Sequence, residues 1–235
     1  MFQTLFYIDW TYWVFVIPCL IISAICSANV NSTFSKYSKI QNSRGITGAQ
    51  AAQRVLQSNG VTGVRIEMVS GHLSDHFDPR TNVIRLSESV YNSTTVAAVG
   101  VASHEAGHAV QHAQGYVPNK IRGAIVPIVN IGSRLGWILV LIGLFLPVEY
   151  TMVLNIGLIL YSASTVFTLV TLPVEFNASS RAMRTIRETN LLSDSECKGA
   201  KRTLQAAAMT YVAAALTSIM QLLRLILIAN RRNDR

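Results

Sequence analysis

Four stretches of this 235-residue chain are each about twenty residues long and nearly free of charge: residues 10–28, 123–148, 150–174 and 203–223. A helix needs ~20 apolar residues to cross ~30 Å of hydrocarbon at 1.5 Å per residue. Buried helices of a soluble core rarely need such a run. The pattern therefore predicts a mainly α membrane protein with about four transmembrane helices. The first run has no Lys or Arg before it and is too long for the apolar part of a signal peptide, so it reads as a retained anchor. Arg134 interrupts the second run. A mid-membrane arginine costs ~2.5–3.5 kcal/mol, so Arg134 is expected to face the bundle interior, to pair with a carboxylate, or to lie nearer a surface. Pro127 allows a kink in the same segment.

Only 14% of the residues are charged, against a usual ~25%. Those charges fall mainly in two blocks. Nine Lys and Arg lie between Lys36 and Arg122, and six between Arg181 and Arg202. The positive-inside rule then puts both blocks in the cytoplasm and the amino terminus outside. Arg231, Arg232 and Arg235 break this pattern if the last segment crosses fully. Either that segment stops short or the short tail is an exception. The net charge of +8 thus reads as a topology signal that orients the chain in a lipid bilayer. With no aromatic-interleaved basic stripe, nucleic acid is not expected as a partner. Cys19, Cys26 and Cys197 have neither metal-ligand spacing nor a disulfide framework.

These boundaries divide the chain into a transmembrane anchor (1–29), a cytoplasmic part (30–122), a transmembrane hairpin (123–174), a cytoplasmic helix (175–203) and a last membrane helix with a basic tail (204–235). Within the first cytoplasmic part, Thr47 can cap a helix over residues 49–58 that Gly60 stops. Residues 64–69 and 82–87 alternate as strands, separated by a turn-rich loop at 71–79. From Ser93 or Thr94 a helix runs to Gln114, closed by Gly115.

That helix contains His104-Glu105-Ala106-Gly107-His108. The i, i+4 spacing sets both imidazoles on one face, where they can bind one Zn²⁺ ion. Glu105, one position on, is the candidate general base for a water whose pKa the metal lowers towards ~7. His112 continues the face but lies ~12 Å from His104 along a straight helix, too far to share one tetrahedral ion. It reads as a surface residue or one that supports a ligand. Glu175 is the better third ligand. Two membrane segments separate it from the histidines, and an even number of crossings returns the chain to the same face. Pro173 suits the start of its helix.

His104–Ala113, with Ser74-Asp75-His76-Phe77-Asp78-Pro79 before it and Leu172-Pro173-Val174-Glu175-Phe176 after it, resembles the bacterial YugP-type family of membrane zinc metallopeptidases. The Ala-rich stretch at 206–215 is also similar, so the likeness covers nearly the whole chain. More distantly the pattern is similar to the HtpX and CAAX-prenyl endopeptidase group. The resemblance implies a small α+β zincin-like part at the cytoplasmic face of the bacterial cell membrane. It implies one Zn²⁺ per chain held by His104, His108 and Glu175, with Glu105 as base, as in gluzincins. Two residues depart from the pattern. Ser179 stands where an Asp is expected to bond a ligand His, and Asn177 stands where close relatives are expected to carry Asp.

Residues 82–87 are expected either as an edge strand that pairs an extended substrate or as an ordinary central strand. His72 and His76 read as solvated loop residues or as supports of the site, and Asp75 and Asp78 as turn formers. Arg181 reads as a residue that snorkels at the interface or one that stabilises an oxyanion. Three functions compete: a zinc endopeptidase acting on peptides or membrane proteins at the cytoplasmic surface, an intramembrane site-2-type protease, and a zinc-stabilised scaffold without catalysis. The second lacks its usual third-ligand motif, and the third has no need of Glu105.

Overall fold

The computed structural model describes residues 10–71 and 74–233. It is mainly helical, with seven α-helices and a three-stranded sheet among the described residues. Among the described residues, four helical stretches are long and apolar enough to cross a membrane: Tyr12–Tyr37, Val117–Phe145, Val148–Glu188 and Asp194–Arg232. Each overlaps one of the four charge-poor runs of the sequence. The chain divides into two compact units. One comprises Met1–Ile25, Ile121–Leu172 and Tyr211–Arg235, and the other Cys26–Lys120 and Pro173–Thr210.

The apolar unit is built from parts of α1 (Ile17–Tyr37), α5 (Val117–Phe145), α6 (Thr151–Glu188) and α7 (Asp194–Asn233). α5 and α6 cross at backbone distance. A Cβ on Gly136 would stand 2.7 Å from Tyr161 N and one on Gly143 2.7 Å from Leu154 Cα. Small residues allow this approach where lipid supplies no hydrophobic drive. The glycine stripe also decides where Arg134 goes. The inner face of α5 carries Val129, Gly132, Gly136, Val140 and Gly143, which leaves no room for a guanidinium. Arg134 is exposed on the other face. The expectation that it faces the interior or meets a carboxylate does not hold.

In the sheet-bearing unit, Thr47 and Gln50 close a reciprocal capping box that starts α2 (Gly48–Ser58). The sheet comprises β1 (Arg65–Val69), β2 (His76–Asp78) and β3 (Val83–Ser87) in the order β1-β3-β2, with β1 parallel and β2 antiparallel to β3. The edge-strand reading of residues 82–87 is therefore corrected. β3 is the central strand, and Val83, Ile84 and Leu86 are fully buried. The edges are β1 and β2, and β2 forms within the segment expected as a loop. Asp78 shapes the β2–β3 turn by accepting from Arg80 N (2.9 Å), Thr81 Oγ1 (2.7 Å) and Arg85 Nη1 (3.1 Å). His72 lies outside the described residues.

After the single turn α3 (Glu88–Tyr91), α4 (Val96–Ala113) starts at Thr95, whose hydroxyl accepts from Ala98 N. One side of α4 packs Ala98, Ala102, Ala106, Ala109 and Val110 into a core with α2 and the sheet. Its other side packs Val96, Ala97 and Val99 with Ala182, Ile186, Ala200 and Leu204 of α6 and α7. Alanine at so many contact positions lets α4 run between these two sets of neighbours. α6 runs unbroken through Pro173, so the helix expected to begin at that residue begins at Thr151. The expected cytoplasmic helix at 175–203 is divided between α6 and α7. They are joined by a turn in which Asn190 adopts φ 51°.

Candidate metal centre

The site forms where α4 meets α6. A Cβ on Gly107 would lie 2.6 Å from the carbonyl oxygen of Ala178, so only glycine permits this approach. The flanking residues follow the same spacing on both helices. His104 and His108 sit three before and one after Gly107, while Glu175 and Ser179 sit three before and one after Ala178. Each pair straddles the crossing, which brings residues 71 positions apart within hydrogen-bonding distance.

His104 Nε2 is 3.2 Å from His108 Nε2 and 3.3 Å from Glu175 Oε2, and His108 Nε2 is 3.5 Å from the same oxygen. Tetrahedral zinc with bonds of ~2.0–2.1 Å sets its ligand atoms ~3.3 Å apart, so this triangle has the right edge for it. Two imidazoles and one carboxylate are also a donor set that zinc favours. The three side chains are 15%, 12% and 3% exposed. Their donor atoms face one another in a largely dry place, an arrangement that calls for a cation or a proton between them.

Protonation shows the same demand. Burial opposes a charge on His108. Its hydrogen bond to Glu175, with the charges of Glu105 and Glu175, outweighs this and raises the pKa above the ordinary 6.5. Burial likewise opposes charge on Glu175, but hydrogen bonds from His104 and His108 hold its carboxyl well below the usual range. A positive charge on His108 beside an ionised Glu175 is thus favoured.

The outer nitrogens are held differently. His108 Nδ1 donates to Gln111 Oε1 (3.1 Å), which leaves Nε2 free to bind a metal. Gln111 is fully buried, and its Nε2 donates to Val174 O (2.8 Å) and Asn177 Oδ1 (3.0 Å). It ties one histidine of α4 to the turn of α6 that carries Glu175. Gln111 was not among the residues expected at the site; its signal in the sequence is a glutamine three residues after the second histidine, on the buried face of α4. His104 Nδ1 meets the Ser179 hydroxyl at 3.1 Å, so a neutral hydroxyl occupies the place expected for an Asp.

Asn177 Oδ1 accepts from both Gln111 and Arg181 Nε (2.7 Å). Arg181 also hydrogen-bonds Gln114 and lies over the Tyr116 ring at 5.8 Å. It binds α6 to the end of α4. Glu105 Oε2 accepts the backbone N–H of Phe77 in the edge strand β2 (3.0 Å). His112 is exposed, packs against the Phe77 ring and is not part of the donor cluster. His76 is exposed on β2, with its Nδ1 2.7 Å from Ser74 O.

Long apolar helices and a His/His/Glu cluster that could hold a metal ion thus occur together in a membrane protein. The chain matches the family described as "Putative neutral zinc metallopeptidase" over residues 12–230, and it belongs to that family. It is also 47% identical to the "Putative membrane protease YugP" of Bacillus subtilis (strain 168) over 199 residues, covering 85% of this chain and 88% of that protein. No solved structure matches it.

Proposed function

We propose that this protein is a membrane-embedded endopeptidase that holds one zinc ion on His104, His108 and Glu175 and hydrolyses peptide bonds with Glu105 as general base. The observation that carries this is the donor triangle with edges of 3.2, 3.3 and 3.5 Å, next to a carboxylate on the same helix. A zinc ion held by these three residues would supply Lewis-acid activation of the carbonyl and of the attacking water. Glu105, on the same helix, would accept a proton from the attacking water and deliver one to the leaving amine. The Phe77 N–H holds the Glu105 carboxylate in place through the 3.0 Å bond. His108 is fixed by Gln111 and His104 by Ser179, so both present Nε2 to the ion. An extended substrate would lie along β2, beside the Phe77 N–H that Glu105 holds, and membrane-protein segments are the substrates it suits. The two basic blocks support a cytoplasmic site in the cell membrane.

Glu105→Gln separates this function from a zinc scaffold. The variant keeps its zinc, while hydrolysis of an unfolded test protein by the purified enzyme falls by roughly 10²–10⁴-fold. Cleavage at the parent rate would contradict the reading.

A further inference from the structure

The cations in the apolar unit are not alike. Arg232 donates to the carbonyls of Gly143, Leu146 and Pro147 at the end of α5. Arg224 lies over the Tyr12 ring at 5.3 Å and Arg231 over the Trp10 ring at 5.0 Å. Arg134 has no hydrogen bond, ion pair or ring contact with any described residue, and neither has Asn130 one turn before it. Both are exposed on the outward face of α5, together with Ile131 (71% exposed) and Ile138 (51%).

Their depth sharpens the contrast. At 1.5 Å per residue, Arg134 lies about 18 Å from Arg122 and about 17 Å from Phe145. It sits near the middle of the apolar helix, too deep to reach either surface with ease. A bare guanidinium facing hydrocarbon is unfavourable, and charged residues at such depth pair with other groups. A second copy of the chain does not supply the missing charge. The acids nearest the charge-poor runs are Asp9, Glu149 and Glu175, all at their ends. A symmetric dimer on this face would bring two arginines together without an acid between them.

We propose that the Asn130–Arg134 face of α5 docks a transmembrane helix of a different protein, one that carries a single Asp or Glu near its middle. The carboxylate pairs with Arg134, Asn130 supplies a further hydrogen bond, and the flanking isoleucines pack against the helix. This inference does not depend on the zinc chemistry. Binding is expected to be unchanged in Glu105→Gln.

The test uses the full-length protein in phosphatidylcholine vesicles with labelled Leu-rich transmembrane peptides carrying Glu, Gln or Lys at the centre. Energy transfer between peptide and protein is expected to report at least about tenfold tighter association of the Glu peptide than of the Gln peptide, a difference of about 1.4 kcal/mol. Arg134→Leu should abolish that preference and Arg134→Glu should shift it to the Lys peptide. Because residue 134 is exposed, both variants are expected to fold, which an unchanged helical circular-dichroism spectrum and melting transition confirm. Equal binding of Glu and Gln peptides would overturn the proposal. So would a preference that survives Arg134→Leu, or self-association of the chain that Arg134→Leu removes.

Discussion

The two units use one packing device for different ends. In the apolar unit, α5 and α6 meet at Gly136 and Gly143, with a Cβ on either glycine falling 2.7 Å from the facing backbone. In the sheet-bearing unit, α4 and α6 meet at Gly107 in the same way. Around Gly136 and Gly143 the neighbours are apolar or small, so the close approach yields only packing. Around Gly107 they are His104, His108, Glu175 and Ser179, so the same approach gathers three metal donors. A close helix crossing is thus a structural element that becomes a site when its flanking positions carry donors.

Widening each crossing should affect the two units differently, and this effect is the largest. Gly107→Val should separate α4 from α6 and abolish both zinc binding and hydrolysis. Gly136→Val should cost ~1–3 kcal/mol of stability through overpacking, yet leave the zinc content of the folded fraction intact. Metal analysis of both variants after purification checks this. Zinc retained in Gly107→Val would show that the crossing does not build the site.

The next effect separates the two histidine supports. Gln111→Leu removes a buried amide that holds His108, so zinc affinity should fall ~10–100-fold. Ser179→Ala removes one neutral hydrogen bond of ~0.5–1.5 kcal/mol and should cost about tenfold or less. Competition with a chelator measures both. Equal losses would mean that the supports are equivalent.

The smallest effect is that of pH. In the metal-free protein the raised pKa of His108 adds stability that is fully present below 6.5 and is lost as pH rises through the folded-state value. The lowered pKa of Glu175 adds stability above 4.5 that is lost as pH falls towards its folded-state value. The cluster therefore stabilises the metal-free protein most between these limits. If zinc takes the place of the proton on His108, the difference in melting temperature between loaded and metal-free protein should widen as pH rises above 6.5. A difference independent of pH would contradict a stabilising proton on His108.

Much of this was legible in the sequence because it depends on local rules. Scarcity of charge marked the four membrane stretches, and Thr47 with Gln50 marked the start of α2. The i, i+4 histidines needed only helical geometry, and Glu175 followed from counting crossings. What stayed hidden depends on neighbours. Pro173 looked like a helix start because its fixed φ suits either a first turn or an interior, and only packing shows that α6 continues through it. β2 has three residues, too few for an alternation to show. Gln111 became significant only once Val174 and Asn177 lay opposite it. Arg134 faces outward because glycines on the inner face bring α6 against the α5 backbone, a constraint carried by another helix.

Zinc held at the α4–α6 crossing by two histidines and Glu175 makes the metal content of the purified protein the decisive quantity, compared with Glu175→Gln, Glu175→Ala and His112→Ala. About one zinc per chain is expected in the parent and in His112→Ala, with loss in both Glu175 variants while they remain folded. Full zinc in the Glu175 variants, with loss in His112→Ala, would contradict the account.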